Sequence, residues 1–134
     1  MDEGWIETEF DVRYAETDAM GVVYYANYFV WFEVARGAYC KHHGIDYQAI
    51  EKTGSLMAVV DASCRFRAPA RYGDTIRVRA RITEQKRATV SVQYEIYNAV
   101  TGQMLATGHT RHMWVNGSGR PSRTPESLKG LLGA

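Results

Sequence analysis

Past Gly54 the hydrophobic period of this chain changes from about 3.6 residues to 2. Leu56, Ala58, Val60, Ala62, Cys64 and Phe66 form a first alternating set, whose intervening residues turn polar from Asp61 onward. Ile76, Val78, Ala80 and Ile82 alternate with Thr75, Arg77, Arg79, Arg81 and Thr83. Ala88, Val90, Val92, Tyr94 and Ile96 alternate with Thr89, Ser91, Gln93, Glu95 and Tyr97. Residues 104–115 make a fourth, less regular segment. Alternation of this kind marks antiparallel strands with one face on a core and the other partly wet. Turn-forming residues separate the segments at 69–74, 84–87 and 98–102.

Ahead of Gly54 the pattern is helical. Over 26–43, Tyr28, Phe29, Trp31, Phe32, Val34, Ala35 and Tyr39 cover more than one narrow stripe, which predicts a helix buried on most sides. His42 and His43 suit the negative end of its dipole, and Gly44 follows as the terminating residue. A shorter helical piece falls at 47–51, and a leading strand at 5–12 carries Trp5, Ile6, Phe10 and Val12. One strand, one long helix and four strands in a meander predict an α+β fold. Its curved antiparallel sheet wraps around a single central helix. The chain reads as one domain, 1–134, with its core over about 5–115 and a Gly-, Ser- and Pro-rich loose tail at 116–134.

Composition narrows the function classes. A hydrophobic share of 46% with 23% charged residues suits a folded globular protein. A formal net charge of +1 supplies no field to favour nucleic acid or an anionic membrane. No apolar run approaches the ~18 residues of a spanning helix. The start, MDEGWIETEF, is acidic and lacks an apolar segment, so no signal peptide is expected. Cys40 and Cys64 read as free thiols, which fits a cytoplasmic location. His109 and His112 stand three apart on a strand, and His42 and His43 are adjacent on a helix end. Neither spacing chelates, and no metal site is expected.

The chemistry concentrates between Arg13 and Gly44. A short loop holding Asp18 passes through Gly21 and runs straight into the long helix. A helix start offers unpaired backbone N–H groups and partial positive charge. Beside a carboxylate, such a start can polarise a carbonyl under attack. Asp18 reads either as a turn residue or as a nucleophile or general base. Gly21 serves a turn or lets a ligand approach the backbone. Tyr24, Tyr25 and Tyr28 read as core or interface aromatics, although the backbone N–H of Tyr25 could donate to a substrate oxygen. Glu33 is the competing carboxylate, with Arg36 or Arg13 as its ordinary partner. Lys86 and Arg87 read as solvated hairpin charges, and Arg77, Arg79 and Arg81 as a solvated or subunit-facing stripe.

Tyr14, Glu16-Thr17-Asp18, Gly21-Val22-Val23-Tyr24-Tyr25-Ala26-Asn27-Tyr28, Trp31-Phe32-Glu33 and Ala35-Arg36 together resemble the signature of the hot-dog-fold acyl-CoA thioesterases. The nearest group is the 4-hydroxybenzoyl-CoA thioesterase type, with its tol-pal-associated relatives. Phe66, Pro69-Ala70-Arg71 and Gly73-Asp74 match the second part of that pattern, so the resemblance spans about 8–115. It implies hydrolysis of an acyl- or aryl-CoA thioester to free acid and CoA. Asp18 would act as nucleophile or general base and the Tyr25 amide as oxyanion donor. Gly21, Val22, Tyr24, Asn27 and Tyr28 would line the substrate, while Lys86 and Arg87 would meet the phosphates of CoA. No cofactor is implied, because CoA is part of the substrate. The partners implied are the acyl-CoA substrate and further copies of the chain, as an edge-to-edge homodimer or a homotetramer. Many tol-pal-associated members carry His where this chain has Tyr25, and the hydroxybenzoyl type carries Tyr, which leans toward an aromatic acyl group. The alternative is a non-catalytic acyl-CoA or acyl-carrier-protein binding module on the same fold.

Overall fold

The computed structural model describes residues 4–128. Five strands, β1 (Ile6–Asp11), β2 (Leu56–Phe66), β3 (Thr75–Gln85), β4 (Thr89–Asn98) and β5 (Met104–Val115), form one antiparallel sheet in the order β1-β3-β4-β5-β2. The helix α1 (Asn27–His42) lies in its concave face, and the short α2 (Tyr47–Lys52) follows. This is the curved sheet around one helix that the periodicity predicts.

Three details differ from the sequence expectation. A simple meander would seat β2 beside β3, but β2 pairs with β5 at one edge while β1 takes the place next to β3. Which strand pairs with which depends on long-range closure, and local periodicity does not encode it. Within β2, the register shifts between Val59 and Asp61, so a bulge at Val60 reverses the alternation. Met57 and Val59 therefore line the concave side with His112, whereas uninterrupted alternation would have placed Leu56, Ala58 and Val60 there. Finally, α1 is not buried on most sides. Val30 and Val34 are exposed, because the helix packs on the sheet through the stripe of Tyr28, Trp31, Phe32, Ala35 and Tyr39 alone.

The core joins Trp31, Phe32 and Ala35 of α1 to Ile76, Val78, Ala80, Tyr94, Ile96 and Ala106 of the sheet, all essentially inaccessible. Phe32 stacks on Tyr94 with ring centroids 4.3 Å apart. Gly108 makes that stacking possible: a Cβ there would collide with the ring of Phe32 at Cζ and Cε2. Both aromatic rings are fully buried, so Phe32 has nowhere to retreat. Gly108→Ala is expected to destabilise the fold by about 1–3 kcal/mol, measured as a lower urea midpoint at unchanged slope.

The tail is a correction. Through Leu128 it is tied down: Val115 bridges Pro121, Thr124 donates its N–H to the Arg87 carbonyl at 2.8 Å, and Leu128 packs with Ile50 and Trp114. The Gly-, Ser- and Pro-rich composition predicts a loose tail, yet the Pro121 bridge, the Ser122 N–H to the Trp114 carbonyl, Thr124 and Leu128 together anchor it. The part of that expectation covering 129–134 lies outside the described residues. No helix among the described residues is long and apolar enough to cross a membrane.

Candidate active site

The loop between β1 and α1 is built on Glu16. A 3₁₀ turn, Tyr14–Glu16, carries this carboxylate into the interior, where it is 5% exposed. Its oxygens accept from Arg13 N–H at 2.8 Å and from Trp31 Nε1 at 2.8 Å, with the Arg13 guanidinium at 3.5 Å. Burial opposes its charge, but these hydrogen bonds together outweigh burial and hold the carboxyl below its ordinary range. The Glu16 carbonyl in turn accepts from Tyr24 N–H at 2.9 Å and Asn27 Nδ2 at 3.0 Å. One residue thus fixes both the loop and the entry to α1. In the sequence Glu16 stands out only as part of the loop motif, since a lone glutamate ordinarily lies at the surface. The Glu16/Trp31 spacing carries no local signal of their contact.

Asp18 sits half-buried at the start of the turn that Glu16 anchors. Its N–H donates to the Val22 carbonyl at 2.9 Å, and its carbonyl accepts from Gly21 N–H at 3.0 Å. One carboxylate oxygen accepts from Met20 N–H at 2.8 Å. The turn reading of Asp18 is therefore correct, and its other carboxylate oxygen takes no hydrogen bond among the described residues. Gly21 turns with φ of 80°, a left-handed conformation that a side chain would strain. Val22 and Val23 bind the loop to the segment before β3, through the Val22–Arg71 bridge and Val23 N–H to the Ala70 carbonyl at 2.8 Å.

Beyond the turn the chain enters α1. The Tyr25 N–H makes no hydrogen bond among the described residues, whereas the N–H groups of Tyr24, Asn27 and Tyr28 are all taken. Tyr25 and Tyr24 are exposed, with rings 4.7 Å apart. Tyr28 is buried, and its hydroxyl accepts from Ala70 N–H at 3.3 Å. A pocket of about 300 Å³ opens here, lined by Val23, Tyr25, Tyr28, Phe66 and Pro69 among others. Asp18, Gly21, Val22 and the three tyrosines are thus gathered at one end of the sheet. Asn27 is close by, but its side-chain amide is committed to Glu16.

Other predicted residues lie elsewhere. Lys86 and Arg87 occupy the β3–β4 turn, and the Asp18 loop packs before the first residue of β3. The length of β3 separates them by roughly 30 Å within one chain. Glu33 is exposed on α1 and pairs with neither guanidinium, since Arg13 binds Glu16 and Arg36 donates to the Tyr94 hydroxyl. Arg79 pairs with Glu95 and covers the ring of Trp5, so the arginine stripe is ordered. Burial pushes the Cys64 thiol up to about 11, which leaves it a poor nucleophile at neutral pH.

Comparison with known proteins points one way. The family model described as the thioesterase-like superfamily matches residues 12–132. A putative acyl-CoA thioesterase of Bacillus subtilis, YneP, is 41% identical over 108 residues, covering 81% of this chain and 78% of the relative. The 1,4-dihydroxy-2-naphthoyl-CoA thioesterase Slr0204 of Synechocystis superposes with a TM-score of 0.89 at 27% identity, covering 96% of each chain. A DHNA-CoA thioesterase of Staphylococcus aureus does so at 0.85 and 34%, covering 89% of this chain and 80% of that one. Matched along most of its length by family model, relatives and structures alike, this chain belongs to the thioesterase-like superfamily of hot-dog fold and is a thioester hydrolase.

Proposed function

We propose that the chain hydrolyses an acyl- or aryl-CoA thioester to the free acid and CoA. The observation that carries this is the pairing of a half-free Asp18 carboxylate with the unpaired Tyr25 N–H, both set by the Glu16 anchor. The substrate carbonyl oxygen takes the Tyr25 N–H, and the dipole of α1 stabilises the charge that develops there. Asp18 either attacks the carbonyl carbon or removes a proton from an attacking water. The C–S bond breaks, CoA leaves as thiolate and is protonated, and water supplies the oxygen of the acid. In the attacking case a mixed anhydride forms first and water cleaves it, restoring the carboxylate. CoA enters as part of the substrate, and no cofactor takes part. Two separate thiols, Cys40 and Cys64, suit a cytoplasmic setting.

The working unit in this reading is a homodimer, which can stack into a homotetramer. β2 is an edge strand that exposes Leu56, Val59, Val60 and Phe66, an arrangement that calls for a cover. Antiparallel pairing of two such edges turns the partner end for end. That brings the partner's β3–β4 turn to the end of the sheet where Asp18 lies, so Lys86 and Arg87 serve the neighbouring site. Replacing both by alanine is expected to raise KM for acyl-CoA roughly tenfold at little cost in kcat. Acyl-pantetheine, which lacks the nucleotide phosphates, should show no such change in steady-state kinetics.

The overall reading is tested by following thiol release from a panel of aryl- and alkyl-CoA thioesters. Turnover of at least one is expected. Tight binding without thiol release from any would assign the chain to acyl-CoA binding instead.

A further inference from the structure

The start of α1 is held without a capping side chain. Its N-cap residue is Ala26, already helical at φ −63° and ψ −24°, and no side chain accepts from the first turn. Serine, threonine, aspartate or asparagine ordinarily fills that position and accepts a backbone N–H of the turn. Here the N–H groups of Tyr28 and Phe29 donate three residues back, to the Tyr25 and Ala26 carbonyls, at 3.1 and 3.2 Å. The unpaired donors of the helix start are thereby those of Tyr25 and Ala26, whose N–H groups bond to nothing among the described residues.

What fixes this uncapped start is a single oxygen. The Glu16 carbonyl accepts from Tyr24 N–H at 2.9 Å and from Asn27 Nδ2 at 3.0 Å. These two donors flank the Tyr25–Ala26 pair. One bond alone would act as a pivot, whereas two on the same acceptor, one from each side, set the direction in which the Tyr25 N–H points. Asn27 and Trp31 stand one helical turn apart, and both reach Glu16. Asn27 takes its carbonyl, and Trp31 Nε1 takes its carboxylate at 2.8 Å. Glu16 stands two residues ahead of Asp18, and the Thr17–Val23 bridge ties the residue between them to the same loop. The Asn27 amide thus joins the helix start to the carboxylate loop.

The residue type has a chemical reason. A carbonyl can only accept, so the half-buried amide presents Nδ2 to it, and an aspartate of the same shape would set oxygen against oxygen. Helix propensity gives no reason for asparagine, since alanine is the better helix former. With its donor committed to Glu16, the Asn27 side chain serves the loop and the helix start and not the substrate.

We propose that Asn27 is a positioning residue: acting through the Glu16 carbonyl, its amide holds the Tyr25 N–H on the thioester carbonyl. The proposal rests on the acyl-CoA reading, and the test separates the two. Asn27→Ala should lower kcat for thiol release roughly 10- to 100-fold at a KM within about twofold, since loss of a whole oxyanion donor costs about 10²–10³. Alanine's helix propensity offsets part of the lost hydrogen bond, so the melting temperature should stay within about 5 °C of wild type. Asn27→Leu, which refills the space without a donor, should show the same loss and serves if the alanine variant does not fold. The direct readout is the infrared carbonyl stretch of benzoyl-CoA and octanoyl-CoA, isotope-labelled at the thioester carbonyl and bound to Asp18→Asn, in which the thioester persists. Binding should move the stretch to lower wavenumber, and adding Asn27→Ala should remove about half of that shift or more. A purely structural role would lower the melting temperature and raise KM while leaving the bound stretch in place. Wild-type kcat in Asn27→Ala, an unchanged stretch, or no binding of either thioester overturns the proposal. A stretch that depends on Asn27 in a protein that releases no thiol would retain the positioning role and discard the hydrolase reading.

Discussion

Glu16→Ala is expected to lower stability by about 3 kcal/mol, a drop of roughly 10 °C in Tm for a domain of this size. The figure follows from what the carboxylate holds. It takes the Arg13 N–H and the Trp31 indole N–H, and Trp31 is 1% exposed, so its donor would be left buried and unmet. Glu16→Gln keeps an acceptor oxygen for Trp31 and should lose about a third as much. Because the folded-state pKa lies below the unfolded one, the stabilisation is complete above the ordinary glutamate range. It disappears as pH falls through the folded value. Urea midpoints from neutral to acid pH should therefore converge for wild type and Glu16→Gln. Parallel curves would show that the carboxylate charge does not matter. The two variants also separate anchoring from chemistry, since the Glu16 carbonyl still accepts from Tyr24 and Asn27 in both.

Legibility of this fold in its sequence varied by element. β3 and β4 were plain, because every second residue is apolar and the strands pair over nearly their whole length, with a single register shift between Ile82 and Glu84. The bulge at Val60 was hidden, since Leu56 to Val60 is a continuous apolar run in which no polar residue fixes the phase. α1 is less buried than its apolar content suggests: Val30 and Val34 are apolar but exposed, because the core takes only the stripe of Tyr28, Trp31, Phe32, Ala35 and Tyr39. At the site, the placement of Asp18 in a turn just ahead of a helix start was legible from order alone, whereas its proposed role comes from the family resemblance. Glu16 was not, because its burial depends on Trp31, which stands fifteen residues away. Lys86 and Arg87 were legible as basic residues in a turn. Their distance from Asp18 was not, since it is set by the span of β3.

The largest effect expected is on catalysis, and it rests on Asp18. Asp18→Asn keeps the side-chain oxygen that accepts from Met20 N–H, so the turn should hold and the melting temperature should stay within about 2 °C of wild type. What it removes is the anionic oxygen, and with it both routes by which water reaches the carbonyl carbon. Loss of a nucleophile or general base costs about 10³-fold or more in kcat, with KM little changed. The decisive measurement is steady-state thiol release by wild type and Asp18→Asn, on the best acyl-CoA substrate and with the fold checked by its melting curve. A fall of three orders of magnitude in kcat at near-constant KM and Tm is the expected result. An Asp18→Asn variant that turns over like wild type would contradict the assignment and move the search for the carboxylate to Glu33.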